Sequence, residues 1–281
     1  MLRVVVLAPV DNSPFSRAVT ALCHAEPGVE VAGLIIRKVL NPQRLRSELR
    51  RDGARLARKV WKKLVLDSDD GVADNEWGLN DIAKEAGVAG IRLSTFAKRE
   101  GIRFIKVGDH NDPASLAALE AMRPDIVAFT GGGIIRERLI GASGRGILNP
   151  HMGVLPRYRG MDVVEWPILE DEQERVGVGA TLHLMDEGID TGPIVRSVRV
   201  PIARGDSVER LRKRFEPALV DLILEGVRAA RDDRLEPQPQ AEADGHQYFM
   251  MHPRFYEQVR HRLAEIGGAG GPGSPGGRSD R

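Results

Sequence analysis

Apolar residues recur along this chain in two distinct rhythms. Leu2 to Ala8 (LRVVVLA), Val29 to Ile36 (VEVAGLII), Arg103 to Val107 (RFIKV) and Asp125 to Thr130 (DIVAFT) are short and rich in Val and Ile. Such runs predict strands buried on both faces. Between them, Phe15 to Ala25, Asn80 to Glu100 and Asp112 to Met122 read as helices, the second with a break near Gly87 to Gly90. Strand, helix and strand at this spacing predict βαβ units. The expected fold is α/β: a Rossmann-like, doubly wound, mostly parallel sheet with flanking helices, in a single domain.

The later chain adds a helix over Asp206 to Arg231. Asp206 is placed to cap it, with Glu209 completing a capping box, and Pro217 is expected to kink or interrupt it. Leu235 to Asp244 is rich in Pro and Gln and reads as a surface loop; Pro253 to Ile266 reads as a last helix. Gly267 to Arg281 (GGAGGPGSPGGRSDR) has the composition of a disordered tail. Within Asn41 to Leu66, Leu45, Leu49, Leu56, Val60 and Leu64 fall at helical spacing, and Arg and Lys fill the other faces. That pattern describes a solvated amphipathic helix, or a basic face that meets an acidic substrate or partner. The expected organisation is a main domain over 1–235 with a charged helical insertion at 41–78. An extension over 236–266 and the tail over 267–281 follow.

Composition narrows the class. A chain of 281 residues with 42% hydrophobic residues can bury a sizeable core, and a net charge of +1 argues against binding polyanions through the whole surface. The single cysteine, Cys23, excludes an internal disulfide and a cysteine-rich metal site. No apolar run approaches the length of a membrane span, and Met1 leads straight into a strand, leaving no room for a signal peptide. A cytoplasmic protein with no membrane partner is expected. The first loop, Pro9 to Pro14, holds no glycine. A dinucleotide fingerprint requires glycines there, so nicotinamide and flavin dehydrogenases are disfavoured.

Candidate chemistry gathers between Gly131 and Ile194. Gly131, Gly132 and Gly133 follow the strand ending at Thr130, and ligands bind at the carboxyl ends of strands in open α/β sheets. Glycines there permit close backbone approach to a flat ligand. Asn149 and His151 are two apart, so on a strand both side chains point to one face. An amide N–H and a protonated imidazole suit an oxyanion developing on a carbonyl. Asp190 ends an acid-rich loop and offers a base or an electrostatic partner for His151. There is no G-x-S-x-G elbow for a serine acyl-enzyme. There is also no H-E-x-x-H or Cys cluster, so no metal is expected. Direct acyl transfer between two bound substrates fits these residues best.

The wording of the stretch adds more. LN-x-H followed by LPRYRG, then HLMDEGIDTGPI, resembles the N-terminal catalytic domain of the formyltransferases that use 10-formyltetrahydrofolate. That family acts on glycinamide ribonucleotide, methionyl-tRNA and amino sugars. The resemblance starts at Arg123-Pro124-Asp125-Ile126-Val127 and extends to about Arg231. It implies that Asn149 and His151 polarise the formyl group and stabilise a tetrahedral intermediate. It also implies that Asp190 moves protons and holds His151 in its useful state. By the same resemblance 10-formyltetrahydrofolate is the co-substrate, its pterin ring in a mostly apolar pocket. The matching residues are Gly131, Gly132, Gly133 and Ile134, then Ile147 and Leu148, then Met185, Asp186, Gly188 and Ile189. Pro150 departs from the family, many members of which carry a β-branched residue there.

The acceptor is narrowed by two family features. Methionyl-tRNA members carry a further C-terminal domain, and little chain follows Arg231 here, so no tRNA partner is expected. Glycinamide ribonucleotide members have a glycine-rich first loop, which Pro9 to Pro14 lacks. The expected acceptor is a small, possibly anionic amine, such as an amino sugar nucleotide or a specialised metabolite. Hydrolysis of 10-formyltetrahydrofolate and non-catalytic folate or metabolite binding are the competing readings. Of the neighbours, His183 reads as packed or catalytic, Trp166 as packing, and Arg157 and Arg159 as anion contacts or loop scaffolding. The oligomeric state is not legible.

Overall fold

The computed structural model describes residues 1–38, 77–131 and 133–268. The basic segment Asn41–Leu66, most of the expected insertion at 41–78, Gly132 and the tail beyond Gly268 lie outside the described residues.

The chain opens with β1 (Leu2–Ala8), α1 (Pro14–Ala25) and β2 (Val29–Arg37). Ser13 caps α1 by accepting from the Ser16 N–H, and Pro14 sits where its missing N–H is not needed. The predicted break in the next helix is real. It separates α2 (Leu79–Glu85) from α3 (Leu93–Arg99). Then come β3 (Phe104–Val107), α4 (Pro113–Met122), β4 (Ile126–Phe129), α5 (Glu137–Gly141) and β5 (Ile147–His151). They are followed by β6 (Tyr158–Gly160), α6 (Trp166–Leu169), β7 (Gly179–Leu184), β8 (Ile194–Arg199) and α7 (Val208–Arg231). The last elements are β9 (His246–Tyr248) and α8 (Pro253–Gly268).

Seven strands form one sheet in the order β3-β2-β1-β4-β5-β7-β8. The first five are parallel, and β7 runs antiparallel between β5 and β8. The strand order reverses between β1 and β4. In open α/β sheets ligands bind at the carboxyl ends of such a switch point, and here the loops after Ala8 and Phe129 emerge there. Alternation along β1 builds both halves of the core. Val4, Val6 and Ala8 join the cluster that includes Val19 of α1 and Val220 of α7. Val5 and Leu7 face the other way, towards Leu119 and Met122 of α4 and Leu139 of α5.

Helix α7 departs from expectation twice. Ser207, not Asp206, is its cap, accepting from the Arg210 N–H. The Asp206 carboxylate instead accepts from Ala203 N and pairs with Arg214. The helix also runs from Val208 to Arg231 without interruption at Pro217. An interior proline costs roughly 3 kcal/mol. Here the buried stripe Leu211, Phe215, Leu219, Ile223 and Val227 packs on the sheet and outweighs it. Among the described residues, no helix is long and apolar enough to cross a membrane.

His110 gives the fold a pH dependence. Its ring is buried, with Nε2 3.3 Å from the Ile35 carbonyl oxygen, and Nδ1 has no hydrogen-bond partner among the described residues. Burial, reinforced by the neighbouring Arg37 cation, pushes its pKa from 6.5 down to about 4. The unfolded chain therefore takes up this proton first. The stability tied to the neutral ring is complete above pH 6.5 and drains away towards pH 4, a loss of roughly 3 kcal/mol. His110→Gln is expected to flatten the fall of Tm across that window. An acid slope identical to wild type would rule the assignment out.

Candidate active site

β5 and β7 set the site through their register. Asn149 lies opposite His183, and His151 lies opposite Thr181. All four side chains therefore share one face of the sheet. Pro150 points the other way. The pairing of β5 with β4 ends at Leu148, so the N–H that Pro150 lacks interrupts no ladder on that side.

After β7 the chain turns back to deliver Asp190. The Asp186 Oδ1 closes the turn by accepting from the Gly188 N–H at 3.1 Å and the Thr191 hydroxyl at 2.7 Å, an Asx-type brace. Asp190 itself stands in the left-handed region at φ 54, a costly conformation for a residue with a side chain. That twist places its carboxylate between two imidazoles. Oδ2 is 3.4 Å from His151 Nδ1, and Oδ1 is 3.5 Å from His183 Nε2. Oδ2 also accepts from the Gly160 N–H at 2.9 Å.

The surrounding carbonyls fix the protons, because a carbonyl only accepts. His151 Nε2 is 2.9 Å from the Tyr158 carbonyl oxygen and so carries hydrogen, leaving the Nδ1 lone pair facing Asp190. His183 Nδ1 is 3.0 Å from the Leu184 carbonyl oxygen and also carries hydrogen. Its Nε2 is then the acceptor for the Asn149 amide, whose Nδ2 lies 2.9 Å away. His183 thus orients Asn149, and the second amide N–H has no partner among the described residues. Burial pushes the His151 pKa down, against the pull of Asp190. Burial also opposes charge on Asp190. The His183 and His151 rings, when either takes up a second proton, and the Gly160 N–H outweigh it and hold the carboxyl below its ordinary value. Near neutrality the centre is an ionised carboxylate flanked by an uncharged His151 ring.

The residues predicted for the pterin pocket divide into two groups. Ile134 and Ile189 are large apolar side chains open to solvent, at 65% and 41% exposure. Gly131 and Gly133 adopt φ of 110 and 104, which an L side chain avoids, and Asn111 braces that loop through Ile134 O and Arg136 N. Met185 packs against the second core cluster and donates its N–H to Ile147 O. Ile147 and Leu148 are fully buried in different core clusters.

Several site features escape sequence reasoning. β6 pairs with β9, setting Gly160 against Tyr248. A Cβ on Gly160 would collide with the Tyr248 carbonyl. β9 follows directly on the segment read as a surface loop, and a strand of three residues carries no periodic signal; within that segment Gln238 pairs with Ile194. Arg159 is buried and bonded to Gln240 and Ala241, which makes it scaffolding. Trp166 packs against Tyr248 and Phe255. Among the described residues, no group of three or more His, Cys, Asp or Glu side chains is arranged to hold a metal ion.

Known proteins share the fold and part of the sequence. The methionyl-tRNA formyltransferase of Trichlorobacter lovleyi is 31% identical over 149 residues, covering 53% of this chain and 46% of the relative. That of Thermus thermophilus is 30% identical over 149 residues, covering 53% and 47%. The chain thus spans about half the length of these curated relatives. They overturn the expectation that tRNA plays no part, since they are named for a tRNA substrate. That expectation rested on the length of chain following Arg231, and the length of a segment does not identify an acceptor. Among solved structures, glycinamide ribonucleotide transformylase 1 from Symbiobacterium toebii has a TM-score of 0.53 at 20% identity, covering 86% of this chain and 95% of that one. An N-formyltransferase from Helicobacter canadensis, in complex with folinic acid and dTDP-3-aminofucose, has a TM-score of 0.54 at 16% identity, covering 94% and 81%. Residues 2–225 match the formyl transferase family model, and the chain belongs to that family.

Proposed function

We propose that this protein transfers a formyl group from 10-formyltetrahydrofolate to a primary amine. The observation that carries this reading is the Asp190 carboxylate held between His151 and His183, with Asn149 oriented by His183. Asn149 uses its free amide N–H to take the oxygen that gains an electron pair when the amine attacks the formyl carbon. One such donor is worth about 10²–10³ in kcat. The Asp190–His151 pair accepts the proton the amine sheds, at the His151 Nδ1 that faces Oδ2. The pair returns that proton to the folate nitrogen as its bond to the formyl carbon breaks. The products are a formamide and tetrahydrofolate.

Folate use is supported by the shared fold of the Helicobacter canadensis enzyme solved with folinic acid. Ile134, Ile189, Gly131 and Gly133 are the groups we assign to a flat ring. The acceptor is tested by a panel of amines: glycinamide ribonucleotide, amino sugar nucleotides and methionyl-tRNA. Mass spectrometry is expected to find one of them formylated as 10-formyltetrahydrofolate is consumed. No formylated amine, with the folate left intact, would sink the proposal.

A further inference from the structure

We propose that Gln240 is the positioning residue for Asp190, and that the segment around it belongs to the active-site scaffold. This rests on the reading of Asp190 as catalytic. Gln240 lies beyond the matched residues 2–225, far along the chain from the site it serves. Its Nε2 donates to the Asp190 carbonyl at 3.1 Å and to the Gly192 carbonyl at 2.6 Å. Its Oε1 accepts from Arg159 Nε at 3.3 Å and Nη2 at 3.1 Å. The amide cannot be turned over, because carbonyls do not donate and guanidinium does not accept.

The turn it grips needs a grip. A non-glycine residue in the left-handed region costs about 1–3 kcal/mol and persists only where its surroundings over-determine it. Gln240 bridges the two carbonyls that flank Thr191, the residue after Asp190. Nearby, Ile194 and Gln238 exchange both backbone hydrogen bonds at 2.7 Å, tying the exit of the Asp190 loop to the same segment. A second hold acts on the carboxylate. β9 pairs with β6, the Met161 N–H donates to Tyr248 O at 3.0 Å, and Gly160 on β6 donates to Asp190 Oδ2. One segment therefore fixes both the backbone twist and the carboxylate of Asp190.

Gln240→Glu separates donation from packing. The carboxylate has nearly the same shape and still accepts from Arg159, but it has no N–H for the two carbonyls. A displacement of about 1 Å at a reacting group costs on the order of 10²-fold in rate. The expected result is a kcat lowered by about 10-fold to 10²-fold, with 5-formyltetrahydrofolate bound within about twofold of wild type. The acid limb of the kcat profile should also move, since a proton taken up at His151 Nδ1 lies against the Asp190 carboxylate. The assay is 10-formyltetrahydrofolate consumption with the amine panel, with Asp190→Asn run beside it. Wild-type kcat and pH profile in Gln240→Glu, together with an inactive Asp190→Asn, would overturn the inference and leave the functional proposal standing. An active Asp190→Asn would remove both. If Gln240→Glu fails to fold, Arg159→Lys replaces it, presenting one donor to Oε1 in place of two. A smaller loss of kcat supports the inference, and an unchanged kcat overturns it.

Discussion

Asp190→Asn is expected to lower kcat by about 10³–10⁴, the scale seen when a buried aspartate that orients a catalytic histidine is made neutral. Folate binding should change little, because the loop that carries Asp190 is braced by Asp186 and Gln240. The loss has two sources. An amide cannot stabilise a proton on His151 Nδ1 as a carboxylate does, and an amide NH₂ turned towards His151 would occupy the lone pair the proton needs. The same geometry fixes the pH dependence. Burial depresses the His151 pKa below 6.5, and the Asp190 pKa is also lowered, so both working forms persist on acidification. The wild-type kcat should hold its plateau to below pH 6.5. An acid limb above that value, or an Asp190→Asn enzyme with near wild-type kcat, would refute the proton role.

Arg212→Met is expected to cost about 3–5 kcal/mol of stability and to lower Tm by on the order of 10 °C. Glu165 is 0% exposed. It takes both of its strong bonds from Arg212, at 2.6 and 2.8 Å. Arg212 also reaches Asp162 at 3.1 Å, and Asp162 accepts from the Met251 N–H at 2.7 Å. One guanidinium thus ties α6, α7 and the approach to α8 together. Removing it leaves a carboxylate buried without its counter-charge, which is far costlier than losing a surface pair. The paired replacement Glu165→Leu with Arg212→Met should recover most of the loss, because no charge then stays buried. Differential scanning calorimetry of the three variants decides the matter. An Arg212→Met Tm equal to wild type would show that the pair does not carry this weight.

The legible parts of the molecule were those written in local periodicity. β1, β2 and β4 announce themselves as apolar runs, and α7 as a long amphipathic stripe. Asn149 and His151 stood out because alternation on one strand puts them on one face. The illegible parts depend on contacts between distant segments. That His183 meets Asn149 follows from the β5–β7 register, and that it meets Asp190 follows from the turn after β7; no single strand encodes either. Gln240 and β9 are polar and short, so nothing in their pattern reveals that they close on Asp190. Ile147 and Leu148 sit in a motif beside the site, yet β5 buries both in the core. Pro217 and Asp206 show packing overriding a local rule. In each case local preference is worth no more than a few kcal/mol, and tertiary contacts exceed it.

The decisive measurement follows the fate of an isotopically labelled formyl carbon on 10-formyltetrahydrofolate, with and without the accepting amine. Label is expected in a formamide, in an amount equal to the tetrahydrofolate released, and Asp190→Asn should suppress both together. Label recovered as formate at the same rate whether or not the amine is present would mean that water, not an amine, is the acceptor at this site.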